Sequence, residues 1–174
     1  MSAIALATRA ATRDDAATIA RIYSEGIEDR LPTFETQPRT AVDVRAWFDG
    51  RHPIVVVGAG GAIIGFAATF TYRPRPCYDG VAELSVYVAR SERGRGAGRA
   101  ATEALLAAAA KAGLWKLVSR VFPENEASLC LLRGLGFREV GVYECHGRLD
   151  GRWRDVVIVE KLLPAAFEVE PSAR

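Results

Sequence analysis

The chain has 174 residues, 49% of them hydrophobic, and its 23 Lys and Arg against 21 Asp and Glu leave a net charge of +2. That length is one domain with a sizeable core, and the near-balanced charge excludes a general nucleic-acid surface or an attraction to anionic membranes. No apolar run approaches the length of a membrane span, and Ser2 to Ala7 is too short and uncharged for a signal peptide. Cys77, Cys130 and Cys145 are odd in number and lack metal-ligand spacing, so they are expected to be free thiols of a cytoplasmic protein that holds no metal.

A first strand is predicted near Ala5 to Ala11. Thr12 then caps a helix, with Asp15 placed as in a capping box. Ile19, Ile22, Tyr23 and Ile27 give that helix an apolar face. Asp29 to Pro38 reads as a loop or broken helix. Thr40 caps a second helix, with Asp43 at the matching position and Gly50 at its end. Ile54–Gly58 and Ala62–Thr71 form a hairpin. Arg73-Pro74-Arg75-Pro76 cannot continue a central strand and reads as a rigid connector. Strands Val81–Val88 and Lys116–Val121 flank an alanine-rich helix from about Arg99 to Ala112, an order that implies a parallel crossover. Asn125 caps the last helix, which Gly134 and Gly136 terminate. Strands over about Arg138–Tyr143 and Arg154–Leu162 close a mixed sheet. The domain is expected to cover 1–164, with 165–174 a loosely held tail.

The densest chemical signal is Arg93-Gly94-Arg95-Gly96-Ala97-Gly98-Arg99-Ala100, between a strand and a helix. Glycines let backbone N–H groups close on a phosphate, and a helix N-terminus favours negative charge. The arginines add charge-assisted donors. A nucleotide P-loop would need Gly-Lys-Ser/Thr, which is absent. Gly96-x-Gly98-x-x-Ala101 satisfies a dinucleotide pattern formally, but the acidic residue expected about twenty positions on is missing. Arg93-x-x-Gly96-x-Gly98 also fits the Arg/Gln-x-x-Gly-x-Gly/Ala loop that binds acetyl-coenzyme A.

From Thr8 to Leu163 the order of landmarks resembles the GNAT superfamily of N-acetyltransferases. Within it, Thr33-Phe34-Glu35-Thr36-Gln37-Pro38, Tyr78-Asp79-Gly80-Val81-Ala82-Glu83-Leu84-Ser85-Val86-Tyr87-Val88 and Gly151-Arg152-Trp153-Arg154-Asp155-Val156 resemble the phosphinothricin acetyltransferases, and most closely the arsinothricin N-acetyltransferases. The resemblance implies an α/β fold: a mixed, mostly antiparallel twisted sheet flanked by helices, with a central parallel strand pair splayed at a cofactor cleft. It implies acetyl-coenzyme A as cofactor, direct transfer in a ternary complex to the α-amino group of a glutamate-like amino-acid toxin, arsinothricin or phosphinothricin, and a homodimer. The alternatives are an acetyltransferase for methionine sulfone, methionine sulfoximine or another small amine, and a non-catalytic acyl-coenzyme A sensor.

Acetyl transfer needs a neutral amine, and an α-ammonium group has a pKa of about 8, so a general base helps. Glu83 is the candidate. Its neighbours Val81, Ala82 and Leu84 are expected to raise its pKa by desolvation, and the family's matching glutamate is the base. The resemblance assigns backbone donors for the developing oxyanion to the end of that strand, at Val86, Tyr87 and Val88 and mainly the last two. It assigns the pyrophosphate to Arg93, Gly94, Arg95, Gly96, Ala97, Gly98 and Arg99, and the pantetheine arm to Asn125 and Ser128. Relatives carry Tyr or His seven residues after this asparagine, where Leu132 stands and has no proton to give. Either the coenzyme A thiolate leaves unprotonated, or a water or one of Tyr87, Tyr78 and Tyr143 gives it a proton; His146 reads as a loop histidine. Phe34, Arg73, Arg75, Tyr78, Glu83 and Trp153 are expected to bind substrate. The two arginines would take its carboxylate and acidic tail, and Phe34 and Trp153 would wall the pocket.

Overall fold

Seven strands form one sheet in the order β1-β2-β3-β4-β5-β7-β6. The computed structural model describes residues 5–163, and the expected tail at 165–174 lies outside them. The elements are β1 (Leu6–Ala10), α1 (Ala16–Glu28), α2 (Ala41–Arg45), β2 (Ile54–Ala59), β3 (Ala62–Thr71), β4 (Val81–Val88), α3 (Ala97–Lys111), β5 (Lys116–Val121), α4 (Glu126–Gly134), β6 (Arg138–Leu149) and β7 (Arg152–Leu162). Every neighbouring pair is antiparallel except β4 and β5. The sheet is therefore mixed and mostly antiparallel, with the one central parallel pair. No helix among the described residues is long and apolar enough to cross a membrane.

Strand alternation divides the core into layers. Ala82 and Leu84 of β4 join Ala101, Leu105 and Ala109 of α3 and Leu129 and Leu132 of α4 on one face. Small alanines let α3 lie close to the sheet. On the other face Ile19 and Ile22 of α1 and Val44 of α2 meet Val56, Phe66 and Tyr87. Ile19 and Ile22 are fully buried, and burial of each side chain stabilises the fold by about 1.5–3 kcal/mol.

Helix starts follow the capping residues. The backbone N–H of Thr12 donates to Asp15 Oδ2 at 2.8 Å, and a 3₁₀ turn over Arg13–Asp15 leads into α1. Thr40 and Asp43 exchange both bonds of a capping box before α2. That helix is shorter than expected. It does not run to Gly50 but tightens after Arg45 into 3₁₀-type bonds, Trp47 N–H to Val44 and Phe48 N–H to Arg45. The Arg13 guanidinium donates to the carbonyls of Arg45 and Phe48, which takes up the end groups of the helix.

The closing hairpin is longer than predicted. Strands β6 and β7 extend to a turn where Asp150 and Gly151 both have positive φ, 49° and 77°, the conformation of a tight two-residue hairpin turn. The β6–β7 register shifts between Tyr143 and Gly147. Cys145 bulges there with φ 48°, and its N–H donates to Asp155 Oδ1 at 2.7 Å. Cys77, Cys130 and Cys145 are exposed, free thiols.

Candidate active site

The parallel ladder of β4 and β5 is short. Val81, Ala82 and Glu83 pair with Lys116, Leu117 and Val118, and pairing stops there. Strand β4 stays paired with β3 through Val88, so the sheet parts beyond Glu83 and opens a cleft. Ser119 Oγ bridges the start of the split by donating to the Leu84 carbonyl at 3.0 Å.

The antiparallel ladder decides which β4 amides face the cleft. Tyr87 pairs with Phe66, and Ala89 N–H donates to Ile64 two residues further on. Backbone groups alternate in direction along a strand, so those of Tyr87 face β3 and those of Val86 and Val88 face the cleft. The Leu84 and Val88 carbonyls, which accept from Ser119 and from Arg93 Nε, agree with that direction.

After β4 the glycine loop wraps one end of the cleft. Gly94 and Gly96 take φ of 76° and 85°, open to glycine at little cost. Gly96 is the N-cap of α3, so the helix begins at Ala97, two residues before the predicted Arg99. The amides of its first turn have no partner within the helix. A cavity of about 420 Å³ lies against them, lined by Val86, Tyr87, Val88, Arg93, Gly94, Gly96, Ala97, Gly98, Arg99, Asn125 and Ser128 among others. Free amides, a helix N-terminus and flanking arginines fit a pyrophosphate. Three of the loop arginines also hold internal partners: Arg93 reaches Asp29 at 2.7 Å, Arg95 reaches Glu92 at 3.0 Å and Arg99 reaches Glu103 at 3.0 Å. Burial works against the Asp29 charge, but Arg93 and Arg90 outweigh it and hold the carboxyl below its usual range.

Asn125 has two positions at once. Its Oδ1 accepts from Ser128 N–H at 3.2 Å as the cap of α4, and it lines the cleft from both sides.

A second cavity, about 470 Å³, continues from the first and shares Val86, Tyr87, Asn125 and Ser128 with it. Phe34, Glu83, Arg39, Arg120 and His146 line it. Phe34 sits edge-on to Phe122 at 4.7 Å, over Gly147, where a Cβ would come within 2.8 Å of its ring. Tyr87 is stacked on Phe66 and meets Tyr23 edge-on at 4.7 Å. Burial holds its phenol well above the ordinary range, helped by Tyr23 and opposed by a hydrogen bond with Thr33, so it stays protonated.

Glu83 points into this cavity, but its surroundings differ from those expected. Ala82 and Leu84 are turned to the α3 face, and only Val81, packed with Val118 and Phe122, shares the strand face of Glu83. Arg120 of β5 contacts both carboxylate oxygens through Nη2. Arg120 was not among the candidates, and its place on the same strand face as Val118 was the only signal for it. His146, read as a loop residue, lies in β6 and lines the cavity from the bulge.

Four expected substrate residues are not brought to the cavity wall. The Arg73 guanidinium lies over the Tyr72 ring at 5.4 Å and Arg75 over Tyr78 at 6.0 Å. Tyr78 meets Tyr72 edge-on at 5.6 Å. Trp153 is part of β7 rather than a turn, 57% exposed, with Arg148 stacked on it at 4.7 Å. Of the other candidate proton donors, Tyr143 is exposed on β6; Leu132, at the position where relatives carry one, is buried in the core and forms part of the cavity wall.

The Acetyltransferase (GNAT) family model matches residues 19–137. A methionine sulfoximine/methionine sulfone acetyltransferase of Pseudomonas paraeruginosa is 33% identical over 147 residues, 82% of this chain and 86% of that one. A phosphinothricin N-acetyltransferase of Streptomyces coelicolor is 32% identical over 162 residues, 89% of this chain and 95% of that one. The crystal structure of a phosphinothricin acetyltransferase from Sinorhizobium meliloti in complex with AcCoA superposes with a TM-score of 0.87 at 26% identity, covering 97% of this chain and 94% of that one.

Proposed function

The chain belongs to the GNAT family of acetyltransferases and is an acetyl-CoA-dependent N-acetyltransferase, and on that premise we propose that it acetylates the α-amino group of a glutamate-like amino-acid toxin, arsinothricin or phosphinothricin. The observation that carries this reading is the cavity at the β4–β5 split. There a carboxylate, Glu83, faces a small chamber with Arg39, Arg120 and His146 in its wall. Such a chamber suits a small anionic amino acid better than a peptide, and relatives named for phosphinothricin support it.

Bound acetyl-CoA supplies a thioester as the acetyl donor. The loop amides from Arg95 to Arg99 and the start of α3 would hold its pyrophosphate, and Asn125 and Ser128 would meet the pantetheine arm. Glu83 accepts the proton of the substrate α-ammonium, directly or through a water. The Val86 and Val88 amides face the cleft and would donate to the acetyl oxygen of a bound thioester. Tyr87 lines both chambers and stays protonated, so its phenol would give the departing thiolate its proton, a role Leu132 cannot take. By analogy with its family we place the enzyme in the cytoplasm as a homodimer. The edge strand β6, with Val140 at 49% and Val142 at 53% exposure, is a surface that a second copy would cover, and sedimentation reads the outcome.

A second reading, acetylation of methionine sulfoximine or sulfone, is favoured by the relative named for those substrates. One panel separates the two. Coenzyme A thiol release is followed with arsinothricin, phosphinothricin, methionine sulfoximine, glutamate and a peptide amine. Fast release with the first two supports the toxin reading. Release only with methionine sulfoximine replaces it by the second, and release only with the peptide amine overturns both.

A further inference from the structure

We propose that Arg120 binds the substrate α-carboxylate, so that Glu83 and Arg120 form one clamp for the head group of an α-amino acid. The assignment rests on the acetyltransferase reading of this cavity and names a residue and a substrate class within it.

The strand register sets up the pair. Glu83 and Val118 are the last parallel partners, and Arg120 follows two residues on, on the same face of β5. From there its Nη2 contacts both oxygens of Glu83. Only that corner is engaged. Among the described residues, Nη1 and Nε of Arg120 meet no acceptor, and its side chain is 45% exposed against 26% for Glu83. The guanidinium therefore keeps donors for a second carboxylate while it touches the first.

An α-amino acid presents an ammonium and a carboxylate on the same carbon. A carboxylate held against a guanidinium is its complement: the ammonium meets Glu83 and the carboxylate meets Arg120 in a planar, charge-assisted contact. The other basic side chains of the cavity suit this role less. Arg39 is tied to Glu35 at 2.6 Å, and His146 comes from the β6 bulge. Neither contacts Glu83, which leaves them for the far end of the substrate. Arg73 and Arg75 lie over tyrosines outside the cavity wall.

The pair also works as a selector. With no carboxylate to compete, Arg120 stays on Glu83 and neutralises the base. A substrate carboxylate draws the guanidinium off and frees Glu83 for the adjacent amine. Amines without an α-carboxylate are then rejected in kcat as well as in KM.

The test compares the amino acid acetylated fastest in the panel with its α-carboxamide, in the wild type and in Arg120→Gln, Arg120→Lys and Arg73→Gln. The expected wild-type preference for the acid is about 10- to 100-fold in kcat/KM, the range for a hydrogen bond to a charged group. Arg120→Gln should lose most of that preference, through a faster reaction of the amide as well as a slower one of the acid. Arg120→Lys should keep part of it and Arg73→Gln all of it. Acetyl-CoA binding measured by calorimetry should not change in any variant. Equal rates for acid and amide in the wild type overturn the assignment. So does a full preference in Arg120→Gln, or its loss in Arg73→Gln. If Arg120→Gln does not fold, the wild-type ratio and Arg120→Lys decide alone. Absence of turnover with every amine defeats the functional reading and the clamp together, whereas turnover without discrimination defeats only the clamp.

Discussion

Ser119 Oγ donates to the Leu84 carbonyl at 3.0 Å, one position past the last pair of the β4–β5 ladder. That bond lies at the fork of the sheet. It gives a partner to a carbonyl that the splay would leave open, and it holds the two strands that carry Glu83 and Arg120 at a fixed separation. Ser119→Ala should cost about 1 kcal/mol of stability and lower kcat/KM without changing acetyl-CoA affinity. Urea unfolding and steady-state kinetics on one preparation check both.

Gly26 of α1 is a packing requirement of the cleft wall. A Cβ there would stand 2.8 Å from the Tyr87 ring and 3.2 Å from Pro32. The ring is packed against fully buried Phe66 and edge-on to Tyr23, which leaves it little room to shift. Alanine would gain about 0.5–1 kcal/mol of helix preference, against about 1–3 kcal/mol for overpacking. The clash wins, so Gly26→Ala should lower the Tm, and a rise would contradict this account.

Gly96 tests the cofactor loop by backbone strain alone. A Cβ there meets nothing closer than Leu6 at 3.8 Å, yet φ is 85°. Gly96→Ala should cost about 1–2 kcal/mol and weaken acetyl-CoA binding several-fold, read by titration calorimetry. An unchanged affinity would show that this turn does not shape the phosphate site.

Asp15 gives a pH signature. The Arg9 guanidinium binds both carboxylate oxygens, at 2.7 and 2.8 Å, and Thr12 adds further bonds; together they outweigh burial and hold the pKa at about 2 against 3.8. The folded pKa lies below the unfolded one. The stabilisation is therefore present above about pH 4 and is lost as pH falls towards 2. Because Arg9 is half exposed, it amounts to roughly 1–2 kcal/mol. Stability of Asp15→Asn should be lower at pH 7 and flatter over that window, as acid titration of unfolding would show.

Much of this architecture is legible in the sequence. The glycine loop, the parallel crossover and the Asn125 cap depend on local rules, such as glycine at positive φ and a side-chain acceptor at a helix start. The residues that escaped notice depend on how distant elements converge. Arg120 is an unremarkable strand arginine until the short β4–β5 ladder aims it at Glu83. His146 enters the cavity only because Cys145 bulges. Arg73 and Arg75 carry the right charge, but their connector stacks them on Tyr72 and Tyr78. The long β6–β7 hairpin is legible too: Asp150-Gly151 is a strong two-residue turn signal, and it places Trp153 inside the strand that follows.

The central claim is that Glu83 takes the amine proton in the chamber at the split. The most direct measurement is the pH dependence of kcat for coenzyme A release by the wild type and by Glu83→Gln, with acetyl-CoA binding measured in parallel. The account predicts a fall in kcat of about 10²–10⁴-fold with cofactor affinity unchanged. It also predicts that rate returns in the variant as rising pH deprotonates the amine without help. A Glu83→Gln enzyme that keeps wild-type kcat at neutral pH would contradict it.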